Sequence, residues 1–91
     1  MPAKRFKQFR NGILSKIIGE GFGIVQAPHL YEIFDERERT GVVMPDRHSG
    51  RVIVSVHEQY ADRVARALSP YRVINYAGSV TFYCHSSAVR S

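Results

Sequence analysis

The sequence predicts an α+β fold: an antiparallel sheet, a meander plus a C-terminal β-hairpin, with an N-terminal amphipathic helix and a second helix at about residues 57–68. Three observations carry this. Val52, Val54 and Val56 alternate with Arg51, Ile53 and Ser55, the period of a strand with one buried face. The period then changes, and Tyr60, Ala61, Val64, Ala67 and Leu68 recur at helical spacing. Finally, Gly78-Ser79 separates two strand-like runs, YRVINYA and VTFYCHS.

Taken in order, the chain opens with a helical stripe of Phe6, Phe9, Ile13, Leu14, Ile17 and Ile18, decorated by Lys4, Arg5, Lys7, Arg10 and Lys16. Gly12 weakens its middle and Gly19 is the expected stop. The GEGFG stretch that follows lacks the strand-before, helix-after order of a phosphate-cradling loop and reads as a turn. Gly23 to Gln26 is a short strand cut off by Pro28. Residues 28–41 fit either a helix with Pro28 at its first position or a hairpin. Tyr31, Ile33 and Phe34 favour the hairpin, with LYEIF and VVM as strands, DERERTG as a charged tip and Gly41 left-handed. The meander is then 30–35, 41–45 and 51–56.

In the second helix Glu58, Gln59, Asp62, Arg63 and Arg66 take the polar face, and Pro70 places the stop near Leu68. Glycine at the first central position predicts a type II′ turn at Gly78-Ser79, pairing Ala77 with Val80 and Val73 with Cys84. One hairpin face carries Val73, Ala77, Val80, Phe82 and Cys84 and is expected in the core. The other carries Arg72, Ile74, Tyr76, Thr81, Tyr83 and His85.

Ninety-one residues make one small domain, 1–91, with 1–3 and 87–91 expected to fray. One cysteine excludes an internal disulfide and fits a reducing compartment. No apolar run is long enough to span a membrane, and the first ten residues lack a signal-peptide core, so a cytoplasmic location is expected. Thirteen Lys and Arg against eight Asp and Glu give +5, which points to polyanions, chiefly nucleic acid, or to an acidic protein surface. A core this modest also leaves room for a homodimer.

No catalytic or metal motif stands out, and no cofactor is implied. His29, His48, His57 and His85 show no helical ligand spacing, and Cys84 and His85 are adjacent on a strand and point to opposite faces. The order helix, three strands, helix within residues 4–68, with Gly21-Phe22 after the first helix and His29 beyond, resembles double-stranded-RNA-binding domains and small RNA-cleaving toxins of the HicA kind. Those toxins carry a Gly-Ser-His element where this chain reads Ala27-Pro28-His29. The resemblance implies His29 as general base for attack by an RNA 2′-hydroxyl.

Three function classes follow. The first is a nucleic-acid-binding module of low sequence specificity. It would use Lys4, Arg5, Lys7, Arg10, Arg63 and Arg66 for phosphate, and a patch in which Tyr76 and Tyr83 stack bases while Arg72 and His85 neutralise phosphate. The second is a protein-binding module, an inhibitor, adaptor or assembly subunit, using a sheet edge or the Tyr/Arg patch. The third is a ribonuclease centred on His29. The aromatic hairpin face serves the first two only if it is open; the N-terminal helix, whose stripe must be buried, is the element expected to cover it.

Overall fold

The apolar stripe of the first segment makes helix α1, Ala3–Gly19, in the computed structural model, which describes residues 3–68 and 72–85. Phe6, Ile13 and Ile17 are buried, with Phe9 and Leu14 packed beside them, whereas Ile18 stays exposed. Ala3 is the first described residue and opens the helix, and residues 1 and 2, expected to fray with it, lie outside the described residues. The expected fraying of residues 87–91 lies outside the described residues. The helix end is closed by Glu20 N–H on the Ile17 carbonyl (3.1 Å) and Gly21 N–H on the Ile18 carbonyl (2.9 Å). Gly21, at φ +96°, is the left-handed residue there, so Gly19 belongs to the helix.

Four strands follow as an antiparallel meander: β1 Gly23–Gln26, β2 Tyr31–Asp35, β3 Glu38–Asp46 and β4 Arg51–His57. Residues 31–46 therefore form the hairpin. Its tip is shorter than the sequence suggests. Only Glu36 and Arg37 turn the chain, Glu36 at φ 59°, and Glu38 already pairs with Asp35. Thr40 is an extra residue in β3, a bulge that shifts the register between Ile33 and Phe34. It is buried, and its hydroxyl donates to the Ile33 carbonyl at 3.4 Å.

Gly41 is not a left-handed loop residue; it lies inside β3. Its lack of a side chain is needed for another reason. A Cβ there would overlap the Ser55 carbonyl oxygen and stand 2.7 Å from Val56 Cγ1. Gly50, which ends the next turn, does take a left-handed φ of 74°.

A short 3₁₀ turn, Glu58–Tyr60, leads into α2, Ala61–Leu68, whose Val64 and Leu68 are buried. β5, Arg72–Tyr76, and β6, Ser79–His85, complete a six-stranded antiparallel sheet of order β1-β2-β3-β4-β6-β5. The last hairpin differs from expectation in register. Tyr76 pairs with Ser79, Asn75 with Val80 and Val73 with Phe82, and the turn is Ala77-Gly78, both at positive φ. The slip moves each partner by two residues, so residues still in the strands keep their faces; Val80, Phe82 and Cys84 are in the core as expected, but Val73 on the edge strand and Ala77, now in the turn, are exposed.

Both helices lie on one face of the sheet. Phe6, Ile13, Ile17, Val64 and Leu68 share a single core with Ile33, Val43, Val52, Val54, Val56, Val80, Phe82 and Cys84. Arg63 ties this layer to the sheet. Its guanidinium donates to the Glu20 carbonyl (3.0 Å), pairs with Asp35 (3.2 Å) and lies 4.1 Å over the Phe22 ring. The Tyr60 ring meets the Phe22 ring edge-on at 6.2 Å.

Candidate nucleic-acid interface

Charge is distributed unevenly over this fold. Lys4, Arg5, Lys7, Arg10 and Lys16 all lie on α1, which carries no acid. The other eight Lys and Arg of the chain are matched by its eight Asp and Glu, so the whole net charge of +5 resides on α1. Lys4, Arg5 and Lys7 are exposed and have no ion-pair partner among the described residues. They also crowd the positive end of the helix dipole, where an anion is favoured and a cation is not. Arg10 sits 5.7 Å over the Tyr31 ring and donates to Asn11 Oδ1.

The arginines of α2 are engaged within the molecule. Arg63 makes the contacts described above, and Arg66 Nε pairs with Glu20 Oε1 at 3.4 Å. Arg39 likewise pairs with Glu32 at 3.0 Å.

The hairpin residues fall on the opposite side of the molecule. Register puts Tyr76 beside Ser79, and Tyr83 beside Ile53, on the face of the sheet that carries no helix. The N-terminal helix therefore does not cover this aromatic face, contrary to expectation; its stripe is used on the other side. Tyr76 is 80 % exposed, and Val42, Met44, Ile53, Ile74 and Tyr83 share this open face half-buried or exposed. Arg51 lies 5.8 Å from the Tyr83 ring centroid and opposite His85 in the ladder. Sequence reasoning missed Arg51 because its neighbour across the sheet depends on β6 pairing with β4. Arg72 opens β5 on the same face by register; its side chain lies outside the described residues. The residues expected to bind nucleic acid thus form two groups on opposite faces: Lys4, Arg5, Lys7, Arg10, Arg63 and Arg66 on the helix layer, and Tyr76, Tyr83, His85 and, by register, Arg72 on the other face of the sheet.

Little else suggests chemistry. His29 is exposed in the β1–β2 turn, with no side-chain hydrogen bond or ion pair among the described residues to orient it as a base. Four strands, not three, separate the helices. No group of three His, Cys, Asp or Glu fit to hold a metal ion occurs among the described residues. Cys84 is buried, and desolvation pushes its thiol up to about 12. A shallow depression lined by Glu38, His57, Glu58, Gln59 and Gly78 carries two carboxylates, which disfavour phosphate. No described helix is long and apolar enough to cross a membrane. No protein-family model, curated protein or solved structure matches the chain.

Proposed function

We propose that this protein is a small nucleic-acid-binding module of low sequence specificity that meets the phosphate backbone with α1. The confinement of the net charge to one helix supports this reading, with Lys4, Arg5 and Lys7 exposed at its start and without an ion-pair partner among the described residues. Lys and Arg on phosphates fix position without reading bases, hence the low specificity. An anionic membrane surface fits less well. A basic amphipathic helix inserts its apolar face, and that of α1 is already packed in the core.

The test is fluorescence anisotropy with labelled single- and double-stranded RNA and DNA at about 50 and 200 mM salt. Three to five phosphates neutralised on a duplex predict a loss of about 40- to 500-fold between those salts. The triple variant Lys4→Ala, Arg5→Ala, Lys7→Ala should reduce the logarithmic salt slope by nearly three. Absence of binding at the lower salt, or an unchanged slope, overturns the proposal.

A second reading, a protein-binding module, draws on the open sheet face, where Tyr83 and Arg51 are stacked among Met44, Ile53 and Ile74. An acidic protein would be steered by the same net charge. Here Tyr83→Ala should abolish partner capture, while the α1 variant should slow association without abolishing it.

A further inference from the structure

We propose that β5 is an association edge whose occupant is the β5 of a second copy, paired antiparallel about a two-fold axis. The strand is unusual within the fold. Its Val73, Ile74 and Tyr76 are 46 %, 40 % and 80 % exposed, so apolar side chains stand in solvent on both of its faces. Among the described strands it is also outermost, next to β6 alone. Edge strands are ordinarily blunted by shortness, proline, lysine or a bulge, and Val73–Tyr76 has no such charge, proline or irregularity. β1, at the other edge, is of similar length and, like Val73–Tyr76, uncharged, but of its apolar side chains only Val25 is exposed, so it presents apolar surface on one face and β5 on both. Pairing of β5 with the β5 of a second copy uses the same strand on both sides, so it closes as a pair rather than growing into a fibre.

The hairpin sets the register. Tyr76 and Ser79 flank a two-residue turn and exchange hydrogen bonds, and by alternation so do Ile74 and Thr81. Val73 and Asn75 therefore turn their N–H and C=O groups outward. A two-fold axis through Ile74 matches each copy's Val73 with the other's Asn75 and sets the two Ile74 residues opposite each other.

Electrostatics permits self-pairing at this edge. No charge lies between Val73 and Tyr76 to oppose its own copy. The +5 helix sits toward the far side of the sheet, where Arg10 covers Tyr31 of β2. With strands about 4.8 Å apart, the two α1 helices would stand about 40 Å from each other, well beyond a Debye length of about 10 Å.

The interface is small, so association should be weak and depend on concentration. Sedimentation velocity on the full chain from about 5 to 500 µM reads it directly. The mass should rise from 10.3 kDa toward twice that value. Asn75→Pro removes an outward N–H that the hairpin does not use, and Val73→Lys places a charge on the edge. Each should hold the mass at the monomer value, with the far-UV spectrum and thermal midpoint reporting that the fold persists; the lysine variant decides if the proline variant unfolds. A wild-type chain that stays monomeric throughout overturns the proposal. So does a dimer that survives both variants, or one broken by Ile53→Lys on the open face but not by Asn75→Pro.

Discussion

Gly41→Ala tests the packing of the central sheet most severely. The new methyl would overlap the Ser55 carbonyl oxygen and press on Val56 Cγ1 at 2.7 Å and Val56 Cα at 2.9 Å. Two of these three neighbours are backbone atoms of β4, so no side-chain rotation relieves the clash. β3 and β4 must part, and overpacking of this kind costs about 1–3 kcal/mol. Weakening one or two ladder hydrogen bonds beside it adds about 1 kcal/mol each. The sum, about 2–5 kcal/mol, is large against the roughly 5–14 kcal/mol expected for a domain of this length. It corresponds to a fall in Tm of about 10–25 °C. Urea unfolding followed by far-UV circular dichroism measures it, since the chain has no tryptophan. Gly12→Ala is the control: nothing lies within 4 Å of a Cβ there, and helix propensity predicts a gain of up to about 1 kcal/mol. If Gly41→Ala falls within about 0.5 kcal/mol of wild type, the close approach of β3 to β4 is not what requires glycine.

Three further outcomes are expected. Arg63→Ala should cost about 1–2 kcal/mol in urea unfolding, by removing the bonds to Glu20 and Asp35 and the contact with Phe22, yet leave the salt slope of nucleic-acid binding unchanged. Cys84, its thiol pushed up to about 12, should resist alkylation in the native protein at pH 8 and react on unfolding. Because the unfolded thiol ionises first, that burial stabilises fully below about pH 9 and progressively less as pH rises toward 12. Asp46 is held below its ordinary value by the Ser49 hydroxyl, at 2.8 Å, and by backbone N–H groups of Ser49 and His48. The β3–β4 turn should therefore loosen only in acid, below the ordinary aspartate range, and Asp46→Asn should flatten that transition in an NMR titration of the His48 and Ser49 amides.

The elements whose periodicity is local were legible in the sequence. Val52, Val54 and Val56 defined β4, and the stripes of Phe6, Ile13 and Ile17 and of Val64 and Leu68 defined the helices. The turn of the last hairpin was not, because a contact remote in sequence helps to set it. The Gly78 carbonyl accepts from Glu58 N–H at 2.9 Å, and Ala77 takes a φ of 48° that its residue type disfavours. Which side of the sheet the helices cover was equally hidden. Ile53 sits between Val52 and Val54, and Ile74 beside Val73, so either face of those strands reads as apolar. The concentration of charge on α1 was visible in the sequence. That Arg63 and Arg66 are spent on Glu20 and Asp35, and that the tyrosines face away from α1, required the fold.

The position of β6 constrains how the chain can assemble. β6 lies between β4 and β5, although α2 and β5 precede it in sequence. The β1–β4 meander can zip by neighbouring turns, but β4 keeps one flank unpaired until α2 has formed and the last hairpin docks. During that interval the flank of RVIVSV, β-branched and almost uncharged, stands open to any other chain in the same state. The topology thus makes docking of the β5–β6 hairpin the expected late, protective step of folding, and slowing it should show first as aggregation during refolding rather than as a loss of equilibrium stability.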